Sequence, residues 1–185
     1  MRRINIQNSV FLTSLVIALL ASLVMTSCDK DGDMPSAEAN MIKVNSDQIP
    51  MGSVALLDFG SVGSAVNCDL AITSQGVIYD VMGNEVNGSG IFLYFEMMTS
   101  QNGGLASGTY HFNTSSGQPG TFTSSSYMAD LRSFNPQKVK ASEGTIKVEN
   151  KGSAYSIQFS CKFDNGTVVS GGYEGIVAYY QSSGY

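Results

Sequence analysis

From position 41 onward, apolar and polar residues alternate with a period of two, and no window of about eleven residues holds the 3.6-residue period of an amphipathic helix. Tyr155, Ile157, Phe159, Cys161 and Phe163 alternate with Ser156, Gln158, Ser160 and Lys162. That segment reads as a strand with one face on a core and the other in water. Before it, 144–149 (GTIKVE) runs through 150–153 (NKGS), a short glycine-containing hairpin connection. After it, Asp164-Asn165-Gly166 turns the chain into 167–180, which reads as one long strand bent around Gly171 and Gly172. Further strands are expected near 41–46, 53–59, 65–73, 76–82, 90–99, 107–113 and 126–132. The three long strands at the C-terminal end form an antiparallel meander. With no helix among these strands, the pattern predicts an all-β domain over 41–185, as a single antiparallel meander barrel or alternatively a two-sheet β-sandwich.

The first 40 residues follow a different pattern. Arg2 and Arg3 precede an apolar run at 10–25 broken only by Thr13, Ser14 and Ser22, which reads as an export signal. As a helix at about 1.5 Å per residue the run reaches about 24 Å, short of the roughly 30 Å hydrocarbon core, so a permanent span is disfavoured. It ends in Val24-Met25-Thr26-Ser27-Cys28, which resembles the lipobox of bacterial lipoproteins, with Met25 where Leu is usual. The resemblance implies cleavage after 27 and acylation of Cys28. Asp29-Lys30-Asp31-Gly32-Asp33 resembles the acidic stretch that follows the lipidated cysteine in surface-exported lipoproteins of Bacteroidetes-type bacteria. Its implications are a lipid anchor in the outer membrane and a domain facing the cell exterior. The expected organisation is a signal peptide at 1–27, an acidic flexible tether at 28–40 containing Pro35, and the β domain at 41–185.

Charge narrows the partners. The chain carries 10 Lys+Arg against 15 Asp+Glu, a net charge of -5, and loss of Arg2 and Arg3 with the signal takes it to -7. No basic cluster remains to neutralise phosphates, so nucleic acid is not an expected partner, and the membrane is reached through acyl chains on Cys28 alone. One His and three Cys do not make a His-based zinc site. The aspartates at 29–33 lack the glycine position and the final Glu of a calcium loop. Neither a metal nor a cofactor is expected.

Catalytic constellations are not evident. His111 lies between Tyr110 and Phe112 on a strand, and no Gly-x-Ser-x-Gly elbow offers it a nucleophile. Asp58, Asp69, Asp80, Glu85, Glu96 and Glu174 are scattered singly, whereas a glycosidase needs two carboxyl groups facing each other. The expectation is a non-enzymatic protein. Cys68 shares its strand face with Val66, Leu70 and Ile72, and Cys161 shares the inward face of its own strand, so both thiols point to the core. An oxidising compartment permits a disulfide between them, and buried free thiols are the alternative. The polar stretch 113–126 (NTSSGQPGTFTSSS) is the longest loop, a type of segment that often carries binding residues.

The run of features from Gly108-Thr109-Tyr110 through 144–148 (GTIKV), 155–159 (YSIQF) and Asp164-Asn165-Gly166 to 172–175 (GYEG) resembles uncharacterised exported lipoproteins of gut Bacteroidetes, some of which have calycin-like, lipocalin-like barrels. The resemblance implies that fold and carries no binding residues with it. In a wide barrel, inward aromatics such as Tyr94, Tyr155, Tyr173 and Tyr179 are the candidates to line a ligand cavity, and nine Met would suit an adaptable lining. The functional expectation is a monomeric or weakly associating surface lipoprotein that binds a small apolar molecule or a glycan. A structural or adhesive protein-interaction role is the alternative.

Overall fold

The structure, a computed structural model, describes residues 38–115 and 117–181. The expected export signal, Cys28 and the expected tether up to residue 37 lie outside them. The described chain is all-β. In order, its strands are β1 (Met41–Val44), β2 (Asp47–Val62), β3 (Ala65–Ser74), β4 (Val77–Asp80), β5 (Glu85–Gly88), β6 (Ile91–Phe95), β7 (Met97–Thr99), β8 (Gly108–Phe112), β9 (Thr121–Phe122), β10 (Tyr127–Asp130), β11 (Lys138–Asn150), β12 (Ala154–Phe163), β13 (Val168–Ile176) and β14 (Ala178–Gln181). Twelve belong to one large sheet, and the hairpin β4–β5 forms a second, small one.

The pairings of the large sheet return on themselves. β1 pairs with β2, β2 with β3, β3 with β6, β6 with β10, β10 with β11, β11 with β12, β12 with β13, and β13 again with β1, all antiparallel. At the other end of the same cycle the partners change. There β7 continues β6, β9 and β8 stand between it and β11, and β14 continues β13 to lie parallel beside β2 at Ala55–Asp58. A plain antiparallel meander therefore does not describe the sheet, because β8–β9 and β2–β14 are parallel.

Alternation built the strands as the sequence suggested. On β12 every second residue from Tyr155 to Phe163 is buried. Side chains pointing into the cycle form one cluster, in which Ile42, Leu56, Leu70, Leu93, Ile146 and Ile157 leave no surface that a water molecule could touch. Phe95 stands among them, edge-on to Phe122 at 5.8 Å between ring centroids and 6.0 Å from Phe159. At these positions the interior is filled. A second cluster lies on the outer face, where Ala55, Leu57, Ala71, Phe92 and Ala129 are covered by Val77, Tyr79, Val81 and Val86 of the β4–β5 hairpin.

Two expectations about segments are corrected, and the open alternative for the cysteines is resolved. The segment 167–180 breaks at Val177, between β13 and β14, rather than at its glycines. Gly171 serves a close approach instead: a Cβ there would lie 2.5 Å from the Met41 carbonyl oxygen and 2.5 Å from Phe159 Cζ, so no larger residue fits where β13 passes the core. The stretch 113–126 contains β9, whose Phe122 is wholly buried, so a core anchor divides the polar loop. Cys68 and Cys161 are free, buried thiols and not a disulfide. Their strands, β3 and β12, are four pairings apart in either direction around the eight-strand cycle. Eight spacings of about 4.8 Å imply a width of about 12 Å, beyond the roughly 7 Å between Cα atoms that a disulfide tolerates. Burial pushes both thiols up to about 12. In a Cys28→Ser chain, a thiol reagent is expected to find no reactive cysteine in the native protein and two after unfolding without reductant; a bridge would give none until reductant is added.

Candidate functional site

Three turns meet at one end of the cycle and enclose a recess of about 390 Å³. The β1–β2 turn supplies Asn45, Ser46 and Asp47, the β10–β11 connection supplies Asp130, Arg132, Ser133, Asn135 and Gln137, and the β12–β13 turn supplies Asn165 and Thr167. Val44, Met128 and Val139 form its floor, and all three belong to or pack on the interior cluster. The walls are polar because these are turns, and each turn is set by its own side chains. Asn45 adopts a positive φ of 54°, which asparagine tolerates better than most residues. Its N–H donates to the Val168 carbonyl at 2.8 Å, and its Oδ1 accepts the Val168 N–H at 3.2 Å. Asn165 Oδ1 accepts the Thr167 N–H at 3.0 Å.

Arg132 is the fixed cation of the recess. Its Nε and Nη2 donate to Asp130 Oδ1 and Oδ2 at 2.9 and 2.7 Å, and its backbone N–H donates to Oδ1 at 3.0 Å. This forked pairing holds the Asp130 carboxyl below the usual carboxylate range and raises Arg132, to which the nearby Asp47 charge also contributes. Phe134 lies between Ser133 and Asn135 with its side chain fully exposed. The arrangement combines amide and guanidinium donors, carboxylate acceptors and a short apolar floor, and the exposed Phe134 is next in the chain to two of its lining residues. That is the chemistry of a hydroxyl-rich ligand with an apolar face.

The four tyrosines proposed as a cavity lining do not converge. Tyr94 is on the outer face, stacked on Tyr127 with ring centroids 5.5 Å apart. Tyr155 is buried inside, where its hydroxyl accepts Asn150 Nδ2 at 2.9 Å. Tyr173 is half-buried and donates to the Ile176 carbonyl. Tyr179 is exposed on β14 and donates to Asp58 Oδ2 at 2.6 Å. Asp58 also accepts the N–H of Gly60 at 2.9 Å and of Gly103 at 3.1 Å. Burial raises its carboxyl, but these bonds outweigh burial and leave it below its ordinary value. His111 is exposed on β8, which pairs with β11 at Thr145, six residues along that strand from Val139 of the recess floor, and it does not line the recess.

A carboxylate cluster on the outer face was not foreseen. Asp69 is buried, with Oδ2 accepting the Tyr94 hydroxyl, and Glu96 stands beside it with Oε2 accepting Thr123 Oγ1 at 2.9 Å. Burial pushes the Asp69 carboxyl up to about 7, with the Glu96 charge adding to the shift and the Tyr94 bond opposing it. Aromatic side chains pack around the pair: Phe92 lies 6.3 Å from Tyr94 and 5.0 Å from Tyr79, centroid to centroid. Asp69 is buried, while Glu96 beside it is half-buried.

The chain matches no family model, no curated protein and no solved structure.

The folded state keeps the Asp69 proton to about pH 7, while the unfolded chain releases it near 3.8. Between those values the native state binds more protons, so this group's contribution to stability is present below about pH 4 and lost as pH rises to about 7. In buffer free of divalent ions, the unfolding free energy of an Asp69→Asn chain is expected to gain on that of the wild type between about pH 5 and about pH 8. Parallel pH profiles for the two would show that Asp69 titrates normally.

Proposed function

We propose that this chain is a lipid-anchored protein of the outer membrane, facing the cell exterior, whose calycin-like barrel binds a glycan in the recess at its mouth without transforming it. The carrying observation is the recess itself, with Asn45, Asp47, Arg132, Asn135, Gln137 and Asn165 grouped over an apolar floor. Fixed polar groups can satisfy several hydroxyls at once, and the exposed Phe134 can stack on the apolar face of a sugar ring. The eightfold cycle of pairings supports the barrel reading. The Cys28 segment and the acidic residues after it support the anchor and its outward orientation. The filled interior favours the glycan over an apolar molecule held inside, because Leu70, Leu93, Phe95 and Ile157 already occupy that space.

Binding to a panel of immobilised glycans tests the recess. The full chain in detergent is expected to retain a subset of them, and Phe134→Ala and Asp47→Ala are each expected to weaken that binding about tenfold, or about 1.4 kcal/mol. Retention unchanged by both substitutions, or no retention by the wild type, would remove the recess as the site. The anchor is tested separately: Cys28→Ser is expected to move the protein out of the membrane fraction and to abolish incorporation of labelled fatty acid. Continued membrane association of that variant would count against lipidation.

A further inference from the structure

The register of β3 against β6 and β7 sets two carboxylates face to face. Leu70 pairs with Phe95 and Asn67 with Met98. Between these pairs the register runs on without a shift, so Asp69 stands opposite Glu96. Leu70 and Phe95 point into the interior, which turns Asp69, Glu96 and Asn67 to the outer face. Like charges at directly opposed positions have Cβ atoms about 4.5–5.5 Å apart and repel each other. No lysine or arginine among the described residues pairs with either carboxylate, since the three ion pairs join Arg132 to Asp130, Lys151 to Glu174 and Lys162 to Glu143.

Asp69 Oδ1 and Asn67 Oδ1 are buried without a hydrogen bond of good geometry, although the Met97 N–H lies close enough to the Asp69 carboxyl to lower its pKa. Asp69 is only 4% exposed, so solvent does not compensate it. Such groups are rare in folded proteins and call for an unseen partner. When Asp69 is ionised both atoms are acceptors, and a partner that satisfies both is electropositive.

We propose that Asn67 Oδ1, Asp69 Oδ1 and the Glu96 carboxylate bind a calcium ion on the outer face of β3 and β6–β7. The donors are all hard oxygens, the class that calcium takes. Two carboxylates match its charge and relieve their mutual repulsion. The half-buried Asn67 and Glu96 leave a side open to the waters needed to complete six to eight ligands. Among the described residues no three His, Cys, Asp or Glu side chains come together, so softer transition metals have no competing site. Magnesium is disfavoured because two strand positions and one opposed residue do not impose an octahedron. A site with three protein donors belongs in the weak range of about 0.1–1 mM, suited to an exterior where calcium is abundant.

Terbium(III) reports such a site directly, since the chain has no Trp and the Tyr94 hydroxyl on Asp69 provides a nearby antenna. The full chain in detergent, stripped with EDTA, is expected to sensitise terbium emission on tyrosine excitation. Calcium chloride should displace it at about tenfold lower concentration than magnesium chloride, and should raise the melting temperature. Asp69→Asn is expected to cut the emission about tenfold or more. Asn67→Asp, which adds a third carboxylate, is expected to strengthen calcium binding severalfold. Melting curves in EDTA establish that each variant is folded, and Glu96→Gln replaces any that is not. Emission equal in wild type and Asp69→Asn would overturn the proposal. So would weaker calcium binding in Asn67→Asp, the result expected if the Asn67 amide instead donates to Asp69 or if Asp69 and Glu96 share a proton.

Discussion

Everything in this domain depends on closing the ladder at β2. That strand is long enough to reach both ends of the cycle, and it needs a different partner at each: β1 beside Asp47–Pro50, and β14 beside Ala55–Asp58. Neither short strand could complete the cycle alone. Asp58 ties the second junction together, because its carboxylate accepts Tyr179 of β14, Gly103 of the loop before β8 and Gly60 of its own strand. Closure leaves the large sheet with few unpaired backbone groups and gives its inward residues a common interior. The full burial of Ile42, Leu56 and Leu70, which lie on three successive strands, follows from that enclosure.

Inward side chains fill the space within the pairing cycle, so polar groups collect outside it. Turn residues at the mouth cannot join the ladder, so their amides and carboxylates remain available, and three such turns meet around Val44, Met128 and Val139. The outer face is different again. The β4–β5 hairpin covers part of it with Val77 and Tyr79, which creates a second apolar layer, and Asp69 on the same face is buried. The two polar features of the fold therefore differ in origin, one arising from exposure at the turns and the other from burial on the outer face.

Sequence periodicity revealed the strands and hid their contacts. The inward face of β12 was readable because Tyr155 to Phe163 alternate without interruption. Gly171 reads as a bend from sequence alone, but glycine in a strand marks either a bend or a close approach, and only the positions of Met41 and Phe159 distinguish them. Phe122 was concealed within a polar stretch, where one apolar residue gives no period. The tyrosines were grouped by type, yet Tyr94 and Tyr155 lie on opposite faces of the sheet. The recess was not readable at all, since Asn45, Arg132 and Asn165 sit in turns that are far apart in the chain and each look like ordinary connections. Asp69 and Glu96 were seen as isolated because their opposition depends on a register between strands that no local pattern encodes.

The same register explains why the carboxylate pair sits where it does. Moving β3 by one residue against β6 would put Leu70 and Ile72 outside and Asp69 inside, at a cost in buried apolar surface that far exceeds any gain from separating two charges. The interior residues therefore dictate the pairing, and the outer face has to accept the charge opposition that results. Tyr94 and Thr123 meet part of that demand by donating to one oxygen of each carboxylate. The unpartnered Asp69 oxygen is left by a constraint that originates on the other side of the sheet, where the inward residues of β3 and β6 fix the register.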